Sequence, residues 1–112
     1  MSCALCELVR DPHGLGTAAY GRSVYEDEVA TVLVDGAPAR RGQAWVIPKA
    51  HVRGVSDLDE RTGKHLLKLG RRAALSLGMA ASEEDVQVSL EDDGTGDDRH
   101  VRVRVALAPR GR

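Results

Sequence analysis

The alternation of apolar and polar positions predicts several short strands. Residues 24–34 are rich in valine and are interrupted by the polar pair Asp27-Glu28, a pattern typical of a β-hairpin. A third predicted strand is followed by Pro48, which ends it because proline has no N–H to donate to a β-ladder. The predicted strands cover residues 24–26, 29–34, 43–47, 86–90 and 101–107.

One long helix is predicted between the third and fourth strands. Leucine and alanine recur at helical spacing from Leu58 to Leu77, with basic side chains on other faces. Ser56 with Asp59 three residues later predicts the N-terminal cap, and Gly78 predicts the C-terminal cap. Strands on both sides of a single long helix predict an α+β fold with an antiparallel sheet, and the length predicts that 1–112 is a single domain.

The composition limits how the core can be stabilised. The chain has no phenylalanine, one tryptophan and two tyrosines, so leucine, valine and alanine must fill the core. A chain of 112 residues with so few aromatic side chains gains stability from a bound metal or an oligomer interface.

Charge and hydropathy bear on the partners and the compartment. The net charge of −1 gives no bulk attraction to nucleic acid or to anionic lipid. No apolar run approaches the ~18 residues of a membrane span, and the first residues lack the basic and apolar regions of a secretion signal. We therefore expect a cytoplasmic protein without membrane contact, in which cysteines stay reduced.

Two cysteines and two distant histidines form a possible metal-ligand set: Cys3, Cys6, His51 and His100. Two thiolates and two imidazoles are the ligands that tetrahedral Zn²⁺ prefers. The alternatives are a redox Cys-x-x-Cys motif and two unrelated buried thiols. A thioredoxin-like motif needs a strand before the first cysteine, and no strand is predicted there. The other histidines are expected to be a loop residue, His13, and a surface residue of the helix, His65.

The segments Val24-Tyr25-Glu26-Asp27 and Gly42–His51, the latter with the run Val46-Ile47-Pro48-Lys49-Ala50-His51, closely resemble the histidine triad (HIT) superfamily. The resemblance extends from Cys3 to Arg110. It implies a five-stranded antiparallel sheet with one long helix, and subunits that often pair into homodimers with a continuous sheet. It also implies, from a zinc-containing subset, that Cys3, Cys6, His51 and His100 are the ligands of a structural Zn²⁺ near the N-terminus.

The same resemblance places the catalytic segment on the last predicted strand. The family has His-x-His-x-His followed by apolar residues and Pro-Arg, where this chain has His100 and then Arg102 and Arg104. If His100 takes the first position, Arg102 takes that of the nucleophile. A register anchored on Pro109-Arg110 puts Arg104 there instead. Both registers imply that the histidine nucleophile of the family is missing.

Strand alternation puts Arg102 and Arg104 on the same face as His100, opposite the valines of the core. This face is either a solvated strand face or the lining of a ligand pocket. A guanidinium binds phosphate or carboxylate in a bidentate manner, and its pKa is too high for it to act as a base. Arg102 and Arg104 are therefore expected to bind a nucleotide-like or other anionic small molecule without cleaving it.

Three functions remain open at this point. The first is a zinc-stabilised protein that binds an anion without standard nucleotidyl transfer. The second is an enzyme that uses a different catalytic residue, either a nucleotidyl hydrolase or transferase or one repurposed for specialised metabolism. The third is an interaction module that uses the arginines after residue 98, where the lack of interleaved aromatic residues weighs against nucleic acid.

Overall fold

In the part of the chain that the structure describes, five strands form one antiparallel sheet, and two helices pack on its opposite faces. The structure is a computed structural model that describes residues 4–10, 22–34, 43–76, 85–93 and 100–108. Its elements are α1 (Ala4–Arg10), β1 (Arg22–Glu26), β2 (Ala30–Val34), β3 (Ala44–Pro48), α2 (Glu60–Ser76), β4 (Asp85–Asp93) and β5 (His100–Ala108), with a 3₁₀ turn at Val55–Asp57 before α2. Neither described helix is long and apolar enough to cross a membrane.

The strand order is β1-β2-β3-β5-β4, and every neighbouring pair is antiparallel. The predicted α+β architecture with five strands and one long helix is therefore confirmed. The order places β5 between β3 and β4, so that Arg104 lies opposite Trp45 on β3 and Arg102 lies opposite Glu91 on β4. Residues far apart in the sequence meet across these two ladders.

The main core lies between α2 and one face of the sheet. Leu66, Leu69 and Ala73 of α2 are buried against valines of the three central strands. Gly70 allows this close approach, because a Cβ at that position would lie 3.3 Å from Cγ2 of Val105. Small aliphatic side chains and a close helix–sheet contact thus compensate for the shortage of aromatic residues.

A smaller core lies on the opposite face, beneath α1. Leu5, Leu8 and Val9 follow helical spacing and are buried against three side chains of the central strands, Leu33, Trp45 and Ile47. This packing holds α1 on the same face of the sheet as Trp45.

Two predicted boundaries are wrong. The helix is capped by Asp59 and not by Ser56: Oδ2 of Asp59 accepts a hydrogen bond of 3.2 Å from the backbone N–H of Thr62, while Ser56 lies inside the 3₁₀ turn. Strand β4 continues to Asp93, three residues beyond its predicted end, and Glu91 in this extension pairs with Arg102 across the ladder. Leu77 and the predicted cap Gly78 lie outside the described residues.

Candidate metal centre and the adjoining arginine strand

Three of the four predicted zinc ligands lie together in the structure. The side-chain ligand atoms of Cys6, His51 and His100 all lie within 4.8 Å of one another. Sγ of Cys6 lies 3.0 Å from Nδ1 of His51 and 3.5 Å from Nδ1 of His100. These residues come from α1, from the segment after β3 and from the first position of β5, so the cluster joins three elements. Cys3 lies outside the described residues.

Backbone contacts bring the two histidines to the same end of the sheet. The N–H of Val101 donates a hydrogen bond of 2.7 Å to the carbonyl of Val52, which fixes the start of β5 beside the segment that carries His51. The two imidazole rings meet edge to face with their centroids 5.3 Å apart. Packing of Leu5, Leu8 and Val9 against the sheet then brings Cys6 to the same place.

His100 is held in the form that binds a metal. It is fully buried, and its Nε2–H donates a hydrogen bond of 2.9 Å to the carbonyl of Pro48, which leaves the lone pair of Nδ1 directed at the cluster. Burial lowers the pKa of His100; the Pro48 carbonyl opposes this shift and the His51 ring adds to it. A neutral imidazole is the ligand form of histidine, so the burial of His100 suits a metal site.

The separations also fit tetrahedral coordination. A thiolate at about 2.3 Å and an imidazole at about 2.0 Å from a tetrahedral zinc ion lie about 3.5 Å from each other. The observed separations between sulfur and nitrogen are 3.0 Å and 3.5 Å. The described residues therefore supply three ligands that could hold a metal ion with little movement.

The two predicted ligand-binding arginines lie beside Trp45, but their surroundings differ. The guanidinium of Arg102 lies 4.7 Å from the Trp45 ring centroid, and its Nη2 lies 3.3 Å from Oε1 of Glu91. Arg104 is exposed, with its guanidinium 5.9 Å from the same centroid. On this strand face, Arg102 is therefore largely buried, whereas Arg104 is exposed to solvent.

A hydrogen-bonded cluster around Asp27 was not expected from the sequence. Oδ2 of Asp27 accepts hydrogen bonds from the Tyr25 hydroxyl at 3.0 Å and from Nε2 of His65 at 2.8 Å, and Oδ1 accepts from the backbone N–H groups of Val29 and Ala30. Burial raises the pKa of Asp27, but the hydrogen bonds from His65, the backbone and Tyr25 outweigh it and lower the pKa to about 2. His65, expected at the surface, is thus half-buried and links α2 to the turn between β1 and β2.

Comparison with known proteins identifies the family. The HIT domain profile matches residues 17–97, and the chain belongs to the HIT family. The matched segment contains His51 and the Asp27 cluster but ends before β5, where Arg102 and Arg104 lie.

Among curated proteins, the chain is similar to the bifunctional adenosine 5′-phosphosulfate phosphorylase/adenylylsulfatase HINT4 of Arabidopsis thaliana, with 31% identity over 93 residues. This match covers 83% of the chain and 58% of the plant protein, so the chain spans little more than half of that relative's length.

Solved structures share the whole fold. A zinc-bound histidine triad family protein from Mycobacterium smegmatis has a TM-score of 0.71 and 26% identity, and the match covers 99% of this chain and 78% of that one. A histidine triad protein from Clostridium difficile has a TM-score of 0.69 and 17% identity, with 98% and 93% of the two chains covered. At 17% identity, the match to the Clostridium difficile protein shows a similar fold and nothing more.

Proposed function

We propose that the protein is a zinc-stabilised member of the HIT family that binds a nucleotide-like anion without standard nucleotidyl transfer. The observation that supports this most directly is the arrangement of side chains along one face of β5. His100 lies in the metal cluster, and the next two positions on that face are Arg102 and Arg104 beside Trp45. In either register of the family motif, an arginine takes the place of the histidine nucleophile.

The proposed zinc ion is structural. Cys3 would complete a four-ligand set with Cys6, His51 and His100, and four protein ligands leave no open position for a substrate. The geometry of the three described ligands supports this proposal, as does the likeness to a zinc-bound histidine triad protein. When bound, the metal would fasten α1 to the ends of β3 and β5.

The proposed ligand site is the surface formed by Arg104, Trp45 and Arg102. Arg104 is the exposed member, so its guanidinium would make the principal contact with a phosphate or sulfate group. Arg102 would contribute less, because it already binds Glu91 and lies against Trp45. Because arginine stays protonated in proteins, it cannot serve as a nucleophile or a general base.

The second candidate function is an enzyme that acts on a sulfated or phosphorylated nucleotide through a different residue. It is favoured by the 31% identity to a plant protein named for its action on adenosine 5′-phosphosulfate. Hydrolysis of that compound adds water across the phosphosulfate bond and yields AMP and sulfate. This reaction is distinguished from binding by its products, so adenosine 5′-phosphosulfate is a suitable probe for both candidates.

Trp45 provides a direct test, because it is the sole tryptophan of the chain and lies against both arginines. Titration with AMP and with adenosine 5′-phosphosulfate should change its fluorescence in a saturable manner. Arg104→Ala should weaken this binding about tenfold, since a hydrogen bond to a charged group contributes roughly 1.5–3 kcal/mol. Arg71→Ala, which removes an exposed charge from α2 on the other side of the sheet, is the matched control.

Either of two outcomes would contradict the binding proposal: no fluorescence response to either nucleotide, or equal weakening in the two variants. Release of sulfate from adenosine 5′-phosphosulfate by the zinc-loaded protein would instead favour the enzyme.

We also propose that the protein forms a homodimer through β4. This strand is at one edge of the sheet in the described part of the chain, and Val86, Val88 and Leu90 are exposed along it. An edge strand offers backbone N–H and C=O groups with which a strand of a second subunit can pair, and the exposed apolar row beside this edge would be covered by the neighbouring subunit on the same face of the sheet.

A further inference from the structure

A cleft of about 500 Å³ lies between the β1–β2 turn and the first half of α2, on the face of the sheet opposite Trp45. None of the described residues that line it is acidic. Its lining consists of Val29, Arg61, Thr62, Lys64, His65 and Lys68. A cleft of this size lies within the range of small-ligand sites, roughly 300–1,000 Å³.

Helical spacing brings the basic side chains to one side. Lys64 and His65 lie three and four residues after Arg61, and Lys68 lies seven residues after it, which places all four on one face of α2. Burial of Leu66 and Leu69 against the sheet fixes the rotation of the helix about its axis. The net charge of the chain is only −1, so this concentration of positive charge is local.

These cations are weakly compensated by the protein itself. Within the described residues, Arg61 and Lys68 make no ion pair. Lys64 contacts Glu60 at 3.3 Å, but both side chains are largely exposed, and such a pair contributes little to stability. All three charges can therefore turn to a ligand at small cost.

His65 gives the cleft a rigid wall. Its Nε2 is bound to Oδ2 of Asp27 at 2.8 Å, and that carboxylate is itself held by the Tyr25 hydroxyl and by two backbone N–H groups. The imidazole is therefore fixed in position.

We propose that this cleft is a second anion site, separate from the surface at Trp45, and that it binds a ligand with two or more adjacent phosphate groups. Three cations line this cleft, whereas a single phosphate carries a charge of only about −1.5 to −2 at pH 7. A pyrophosphate group presents several acceptor oxygens and a charge that matches Arg61, Lys64 and Lys68.

The test is a titration of the zinc-loaded, ¹⁵N-labelled protein with inorganic pyrophosphate at constant ionic strength, followed by ¹H–¹⁵N NMR. Saturable shifts are expected for the amides of residues 61–68 and for Val29. The double variant Lys64→Ala/Lys68→Ala should bind pyrophosphate about tenfold more weakly or worse. The control is Arg71→Ala/Arg72→Ala, which removes two exposed charges of the same helix outside this cleft and should bind as the unaltered protein does.

Three results would overturn the proposal. The shifts could fail to saturate, the two double variants could lose affinity equally, or orthophosphate could bind as tightly as pyrophosphate. Nucleotide binding reported by Trp45 fluorescence should be unchanged in Lys64→Ala/Lys68→Ala. A loss of that signal in this variant would show that the cleft is not an independent site.

Discussion

The guanidinium of Arg102 lies 4.7 Å from the ring centroid of Trp45 while its Nη2 contacts Glu91 at 3.3 Å. A single side chain on β5 thus joins the two neighbouring strands on the face that carries the candidate site. The contact is largely buried, since the Arg102 side chain is 17% exposed. We interpret Arg102 chiefly as the residue that positions Trp45. Arg104, which is exposed, is then the residue that contacts the anion.

Because Arg102 is largely buried and Arg104 is exposed, replacing each with lysine should affect the stability of the protein unequally. Arg102→Lys should lower the free energy of unfolding by about 1 kcal/mol, because an ammonium group loses both the planar stacking on Trp45 and the fork that reaches Glu91. Arg104→Lys should change it by less than about 0.5 kcal/mol, as expected for an exposed side chain. Urea denaturation of both variants measures the two values. Equal effects would show that Arg102 has no structural role beyond that of Arg104.

The metal centre predicts the loss of both zinc and stability when a ligand is replaced. The purified protein should contain one zinc ion per chain, and Cys3→Ser, Cys6→Ser and His100→Ala should each lose it. Their melting temperatures should fall by about 10 °C or more, since structural zinc contributes several kcal/mol to folding. Elemental analysis and thermal denaturation provide the measurements. His65→Gln is the control and should retain zinc; an unchanged zinc content in any ligand variant would refute its assignment.

The Asp27 cluster predicts a defined pH dependence. The pKa of Asp27 falls from 3.8 to about 2 on folding, so its stabilising effect is complete above about pH 4 and is lost as the pH falls through about 2. Asp27→Asn should therefore lower the free energy of unfolding by about 1–2 kcal/mol at pH 7, and the difference should shrink as the pH falls from about 4 to about 2. Asp57→Asn, at an exposed carboxylate of the 3₁₀ turn, is the control. A difference that stays constant with pH would contradict the assigned role.

The proposed dimer predicts that the two edges of the sheet respond differently to charge. Val88 on β4 is 43% exposed and Val24 on β1 is 50% exposed, so the two residues are closely matched. Val88→Lys should convert the dimer to a monomer in light scattering, because the charge would stand in the apolar row that the second subunit covers beside the paired edge strands. Val24→Lys should leave the dimer intact. A wild-type monomer, or equal behaviour of the two variants, would contradict a β4 interface.

The elements of the fold are predictable from the sequence because the apolar spacing of each one matches its period. All five strands and the long helix lie where the pattern of valine, leucine and alanine places them. The start of α2 is not predictable in the same way. Ser56 and Asp59 are both favourable cap residues, and the 3₁₀ turn that incorporates Ser56 decides between them.

Contacts across the sequence are harder to predict. The pairing of Glu91 with Arg102 depends on the register of two strands, and that of Asp27 with His65 joins residues 38 positions apart. The residue types of Cys6, His51 and His100 indicate that they could be metal ligands. Whether their side chains lie close together depends on how α1 and β5 pack in the fold. Family resemblance, and not spacing, made that set predictable.

The central claim, binding without nucleotidyl transfer, is tested most directly by a ³¹P NMR time course. Zinc-loaded protein would be mixed with AMP, adenosine 5′-phosphosulfate and a nucleoside phosphoramidate, with Arg104→Ala examined in parallel. We predict broadening of the ligand signals, weaker in Arg104→Ala, with no new phosphorus signals over hours. New signals that appear at catalytic rates, such as AMP formed from adenosine 5′-phosphosulfate, would contradict the claim and establish an enzyme.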